Sequence, residues 1–229
     1  MPLDLSRIDA ILFDLDGTIR DTDDQYVGRV AGLLRPIAFL LPKRDATRLA
    51  RWLVMLFEGP VNRLLWLADK VGLDPLIHKL FHIANPWRRR ASGQVFYIVP
   101  GAEDCLTELG PRYSLGLVTT RGESSTRAFL RGTGMEAVFG SVVSGLTTRR
   151  GKPSPDPLLH AAAELGVPIE RCLMVGDTVV DMIAARRAGA QAVGLLSGFG
   201  EEDELLARGA DLLLPSVAEL PAALAPKGA

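Results

Sequence analysis

Ile8-Asp9-Ala10-Ile11-Leu12-Phe13-Asp14-Leu15-Asp16-Gly17-Thr18 is the stretch on which the fold turns. Residues 8–13 are short and mainly apolar, and they run straight into acidic residues and a glycine, as a buried parallel strand does before its loop. Runs of the same kind recur at 114–118, 141–144, 171–175, 190–195 and 211–214, each separated from the next by helix-like sequence. Between the third and fourth runs, Ser154-Pro155-Asp156 reads as a helix start, with Ser154 as N-cap and Pro155 at the first helical position; Gly166 reads as its stop. Residues 181–188 read as a further helix closed by Gly189. Strands alternating with helices predict an α/β fold: a Rossmann-like, doubly wound parallel sheet whose ligand site lies beyond the carboxyl ends of the strands.

Residues 25–90 break this rhythm. Apolar residues recur there at helical spacing over 26–41, 45–57, 61–71 and 75–81, with Pro42, Gly59-Pro60 and Gly72 as punctuation. The reading is an inserted all-helical cap domain, residues 23–94, within a core domain of residues 1–22 and 95–229. Charge divides along the same line. Residues 25–95 hold 12 Lys or Arg against 4 Asp or Glu, a net of +8, and the remainder carries −9, for the whole-chain −1. A basic piece facing an acidic one draws an anionic ligand between them. Asp4 and Asp9 stand where a secretory leader needs basic and apolar residues, and the most apolar stretch, 49–71, is broken by Arg51, Glu58, Pro60 and Arg63. A cytoplasmic protein is expected, with no membrane partner. The two cysteines, Cys105 and Cys172, lie in apolar contexts without zinc-ligand spacing and read as buried thiols.

The strand ends carry the chemistry. Asp14-Leu15-Asp16-Gly17-Thr18 follows the first, Thr119-Thr120-Arg121 the second, Gly151-Lys152-Pro153 the third, and Gly176-Asp177, then Asp181, the fourth. In a parallel sheet these loops converge on one rim. Carboxylates crowded there repel one another unless a cation joins them, and magnesium is the natural hard ion with oxygen ligands. A calcium loop of the EF-hand type is a poorer reading, because its glycine belongs at position six and Gly17 comes too early.

These elements, in this order, resemble the haloacid dehalogenase superfamily. The first motif of its phosphatases, an apolar strand entering D-x-D-G-T, is matched by Asp14 to Thr18. The motif hydroxyl is matched by Thr119, the motif lysine by Lys152, and the G-D-x-x-x-D motif by Asp177 and Asp181. The resemblance covers about residues 8–24 and 95–200, and it implies a phosphatase of the phosphoglycolate phosphatase-like type with a helical cap. Chemistry assigns the roles in the same way. Asp14 attacks phosphorus to give an aspartyl-phosphate; Asp16 protonates the leaving oxygen and then activates water. Thr119, Lys152 and loop N–H groups hold the phosphoryl oxygens. Mg²⁺ is expected at Asp14, Asp16 (through its carbonyl), Asp177 and Asp181, the last reading better as a support than as a direct ligand. Gly17, Thr18, Thr120, Arg121 and Arg20 are the candidates for binding the substrate. Thr120 and Arg20 depart from the family pattern, where asparagine and an apolar residue are frequent, and Arg20 bears on which substrate is taken.

Asp16 separates this chain from the dehalogenase members, which lack that second aspartate. A phosphomutase of the beta-phosphoglucomutase type fits the same motifs nearly as well, by passing the phosphoryl group to a sugar. A binding or regulatory module on the same fold is the alternative from another class. The expected partner is a small phosphorylated molecule. No reader motif accompanies the basic insert, so nucleic acid is not expected, and the chain reads as a monomer or homodimer. His78 and His82, the insert's Trp52, Trp66 and Trp87, and Arg88-Arg89-Arg90 read more simply as packing and solvated charge than as a metal site, a stacking platform or an anion grip.

Overall fold

The computed structural model describes residues 3–21 and 96–225. The chain divides into two compact units, one of residues 1–22 with 96–229 and the other of residues 23–95. The expected cap helices, His78, His82, the three tryptophans and Arg88 to Arg90 lie outside the described residues.

The first unit is a six-stranded sheet in the order β3-β2-β1-β4-β5-β6. Its strands are β1 (Ala10–Phe13), β2 (Ser114–Val118), β3 (Ser141–Val143), β4 (Cys172–Gly176), β5 (Gln191–Leu195) and β6 (Leu212–Leu214), and every neighbouring pair is parallel. Between them run α1 (Ala102–Leu109), α2 (Glu123–Thr133), α3 (Asp156–Leu165), α4 (Val179–Ala188) and α5 (Glu202–Ala207), with α6 (Leu220–Ala223) near the end. Side chains alternate across the sheet with the two-residue period of a strand. Ile11 and Phe13 join Leu115, Leu117, Leu173 and Val175 in a core that reaches α1 and α2. Ala10 and Leu12 join Val118, Met174 and Ala192 in a second core against α3 and α4. Both faces are therefore covered, which is why the central strands read as unbroken apolar runs.

β1 is flanked by β2 on one side and β4 on the other, with Phe13 level with Leu117 and Val175. The order of connection reverses at this central strand, and such a switch point leaves a crevice at the carboxyl ends. Gly166 and Gly189 end α3 and α4 in the left-handed conformation, as expected of helix stops. The cap of α3 is Pro155 rather than Ser154, so the helix begins one residue later than the sequence predicts. Ser154 Oγ still accepts from Asp156 N–H, at 3.5 Å. Where β1's loop leaves the unit and where the chain re-enters it, the backbone is zipped. Arg20 bridges Ile98 antiparallel, Asp21 N–H donates to Tyr97 O at 3.0 Å and Val99 N–H to Ile19 O at 2.9 Å. Cys105 and Cys172 are buried free thiols, and burial pushes Cys172 up to about 11. Among the described residues, no helix is long and apolar enough to cross a membrane.

Candidate active site

Asp14 is the first residue beyond β1, and its N–H still donates to Val175 O at 2.9 Å, so the strand ladder fixes its backbone. Its side chain is nearly closed off from solvent. Lys152, brought from the segment after β3, buries its ammonium in the same place, with 2% of its side chain exposed. Lys152 Nζ donates to Asp14 Oδ1 at 2.7 Å, Asp181 Oδ1 at 2.6 Å and Val118 O at 2.8 Å. An ammonium has three donors, and all three are used. Burial works against its charge, but the neighbouring Asp14 and Asp181 carboxylates outweigh burial and raise Lys152 above its ordinary range.

Asp177 and Asp181 are fixed by the turn between β4 and α4, and both are fully buried. Thr178 caps α4 in a reciprocal box: Asp181 Oδ2 accepts from Thr178 N–H at 3.1 Å and from its hydroxyl at 2.6 Å. With Oδ1 on Lys152, Asp181 is turned toward supporting its neighbours. Asp177 Oδ2 accepts from Phe199 N–H at 2.9 Å, and Oδ1 lies 3.4 Å from the Thr18 hydroxyl. Gly17 approaches from the other side with φ +81°, and a methyl group there would be driven into the Asp177 carboxylate. Gly17→Ala is therefore expected to cost about 1–3 kcal/mol through the left-handed backbone alone and to displace Asp177 as well. Urea unfolding and magnesium titration calorimetry check this; an unchanged ion affinity would show that Asp177 does not need this seat.

Asp14, Asp177 and Asp181 each offer a carboxylate oxygen, all within 4.8 Å of one another. Three buried carboxylates cluster around a single ammonium, which touches only Asp14 and Asp181 of the three, so carboxylates outnumber cations out of water. The strain shows in Asp14: burial pushes its carboxyl up to about 7, against the pull of Lys152 and with the repulsion of Asp181 adding to the rise. A hard divalent cation with oxygen ligands relieves this imbalance, and the donor set fits one.

Asp16 is held from beside this group. Its two carboxylate oxygens each accept from the Arg121 guanidinium, Oδ2 from Nε and Oδ1 from Nη2, both at 2.8 Å. Thr119 continues from β2, and its hydroxyl accepts from Arg121 N–H at 3.1 Å. Thr120 is exposed, while the guanidinium of Arg20 lies over the Phe129 ring, 5.6 Å from its centre. The structure thus gathers Asp14, Lys152, Asp177, Asp181 and Thr18 at one point, with Asp16, Arg121 and Thr119 as a linked group beside them.

Sequence reasoning missed three contributors. Thr178 had a visible signal, the T-x-x-D spacing before an apolar helix. Phe199 between Gly198 and Gly200 had a weaker one, a glycine pair after a strand; a methyl at Gly198 would collide with the Asp177 side chain. The Val118 carbonyl that receives Lys152 is main chain and has none.

Comparison with known proteins bears on the site. The haloacid dehalogenase-like hydrolase family matches residues 8–189. A phosphoglycolate phosphatase from Nitrosococcus oceani is 29% identical over 220 residues, covering 94% of this chain and 96% of that one. One from Cupriavidus necator, of plasmid origin, is 30% identical over 220 residues, covering 95% and 93%. Among solved structures, a HAD family hydrolase from Deinococcus radiodurans R1 with bound phosphate and sodium aligns with TM-score 0.63 at 27% identity, covering 95% of each chain.

Proposed function

The chain belongs to the haloacid dehalogenase-like hydrolase family, and from that premise we propose that Asp14 is the nucleophile of a phosphatase acting on a small phosphorylated metabolite in the cytoplasm. The observation that carries the reading is the buried Lys152 ammonium seated 2.7 Å from Asp14 and 2.6 Å from Asp181, with Asp177 at the same rim. Lys152 pulls Asp14 toward the ionised form, against the burial that raises its carboxyl to about 7, and the ionised form is the state a carboxylate nucleophile needs.

Asp14 Oδ bonds to phosphorus as the ester P–O bond breaks, and Asp16 gives its proton to the departing oxygen. Asp16 then takes a proton from the water whose oxygen bonds to phosphorus as the Asp14–phosphorus link breaks, returning the Asp14 carboxylate and free phosphate. The Thr119 hydroxyl and the N–H groups of the Gly17 and Thr120 loops are assigned to the phosphoryl oxygens. Asp14 and Asp177, with the Asp16 carbonyl and with Asp181 behind them, are the residues that would hold Mg²⁺, which when bound supplies positive charge against the phosphoryl oxygens.

Relatives named phosphoglycolate phosphatase make 2-phosphoglycolate the first substrate to test. In a screen of phosphate monoesters with magnesium, phosphoglycolate is expected among the best substrates, and a chelator is expected to stop release. A sugar phosphate isomerised without net phosphate release would move the reading to a phosphomutase, and no turnover of any ester would sink it.

A further inference from the structure

Resting on the phosphatase reading above, we propose that Arg121 is a positioning residue that acts through Asp16, aiming the carboxyl group that must carry out two opposite proton transfers. A guanidinium that grips both oxygens of a carboxylate from Nε and Nη2 sets the plane and direction of that group; it favours the ionised form, so when Asp16 carries a proton one arm of the fork weakens while the other still holds the direction. The two residues are 105 positions apart in sequence and come from the loops of adjacent parallel strands, β1 and β2.

The fork itself rests on a tied-down loop. Arg121 N–H donates to Thr119 Oγ1, and Gly145 N–H donates to Arg121 O at 2.8 Å. Gly145 also lies so close to the Thr120 carbonyl that a side chain there would meet it. Positional restraint therefore passes from the backbone at Gly145 to the Arg121 fork, and from the fork to Asp16. Both side chains are 25% exposed, and an ion pair that wet adds little to folding stability. Its effect lies in orientation. Asp16 must stand within hydrogen-bond reach of the ester oxygen as its proton leaves, and of the water as a proton returns. A displacement of about 1 Å at such a group can cost about 10²-fold in rate.

Sequence reading places Arg121 among the residues that touch the substrate, and the two roles separate in a double-mutant cycle. The magnesium-loaded full-length enzyme is assayed on an alkyl phosphate, whose poor leaving oxygen demands protonation, and on an activated aryl phosphate. For the alkyl ester, Arg121→Met is expected to lower kcat/KM by about 10²-fold, and Asp16→Asn by at least as much. The double variant should be no slower than Asp16→Asn alone, because a residue that acts only through Asp16 has nothing left to position. Arg121→Lys, which keeps the charge without the fork, should recover only part of the loss. The aryl ester should lose far less kcat/KM than the alkyl ester.

A double variant slowed by the product of the single effects would overturn the proposal, since Arg121 would then touch the substrate or hold the loop on its own account. Equal losses on both esters, accompanied by a lowered melting point, would do the same. Full activity in Asp16→Asn would remove Asp16 from the chemistry, and this proposal with it, while the Asp14 nucleophile stands or falls by its own variant.

Discussion

Asp14→Asn is expected to lower phosphate release by on the order of 10⁴-fold or more, the scale at which losing a covalent nucleophile is felt. The substitution keeps shape and most contacts. Its amide oxygen can still accept from Lys152, and its N–H still meets Val175 O, so the strand tip stays where it is. What is lost is the negative oxygen that attacks phosphorus. The measurement is phosphate release from the best ester of the screen, with circular dichroism and melting to confirm the fold. Turnover above about a hundredth of the native rate, far over the residual that nucleophile loss allows, would show that another group attacks and would leave the Asp14–Lys152 pair without its assigned purpose.

Lys152→Met is the second large effect, and it should appear in stability before it appears in activity. Methionine fills much of the same space with a flexible apolar chain. It leaves Asp14 and Asp181 buried without their cation and the Val118 carbonyl without its donor. Removing one member of a buried ion pair costs about 3–5 kcal/mol, against total stabilities of about 5–15 kcal/mol. For a unit of this size that corresponds to a melting point lower by roughly 10 °C. Because a divalent cation offsets the same excess charge, the deficit should narrow in magnesium and widen in chelator, a contrast urea unfolding can read directly. A loss under about 1 kcal/mol, the level of an ordinary exposed pair, would mean the carboxylates are relieved by something other than Lys152.

The sheet was legible because its strands are buried on both faces. The run from Ile11 to Phe13, like that from Leu173 to Val175, contains no polar residue; Asp14 follows the first at once, and Asp177 follows the second after a single glycine. The shortest strands, β3 and β6, came within a residue of their expected limits because turn residues bound them. The start of α3 slipped by one because Pro155, with no N–H to give, serves as well at the cap as inside the first turn. The gathering of Asp14, Lys152 and Asp177 could be expected because parallel strands deliver their loops to one rim. The Arg121 grip on Asp16 could not: no spacing or periodicity marks two residues 105 apart that meet through their side chains. The Val118 carbonyl is equally silent, since every residue carries one, and the Phe199 N–H is marked only by the glycines on either side of it.

The zipped backbone at Arg20–Ile98 has a consequence for engineering. Asp21 and Tyr97 are already hydrogen-bonded neighbours, so whatever polypeptide joins them begins and ends at the same doorstep. Closing a loop there grows dearer by only about 0.6 kcal/mol for each doubling of its length. A foreign segment, or a short glycine-serine tether, joined at this seam would start and finish on backbone that is already paired, so the seam suits the exchange of one inserted segment for another.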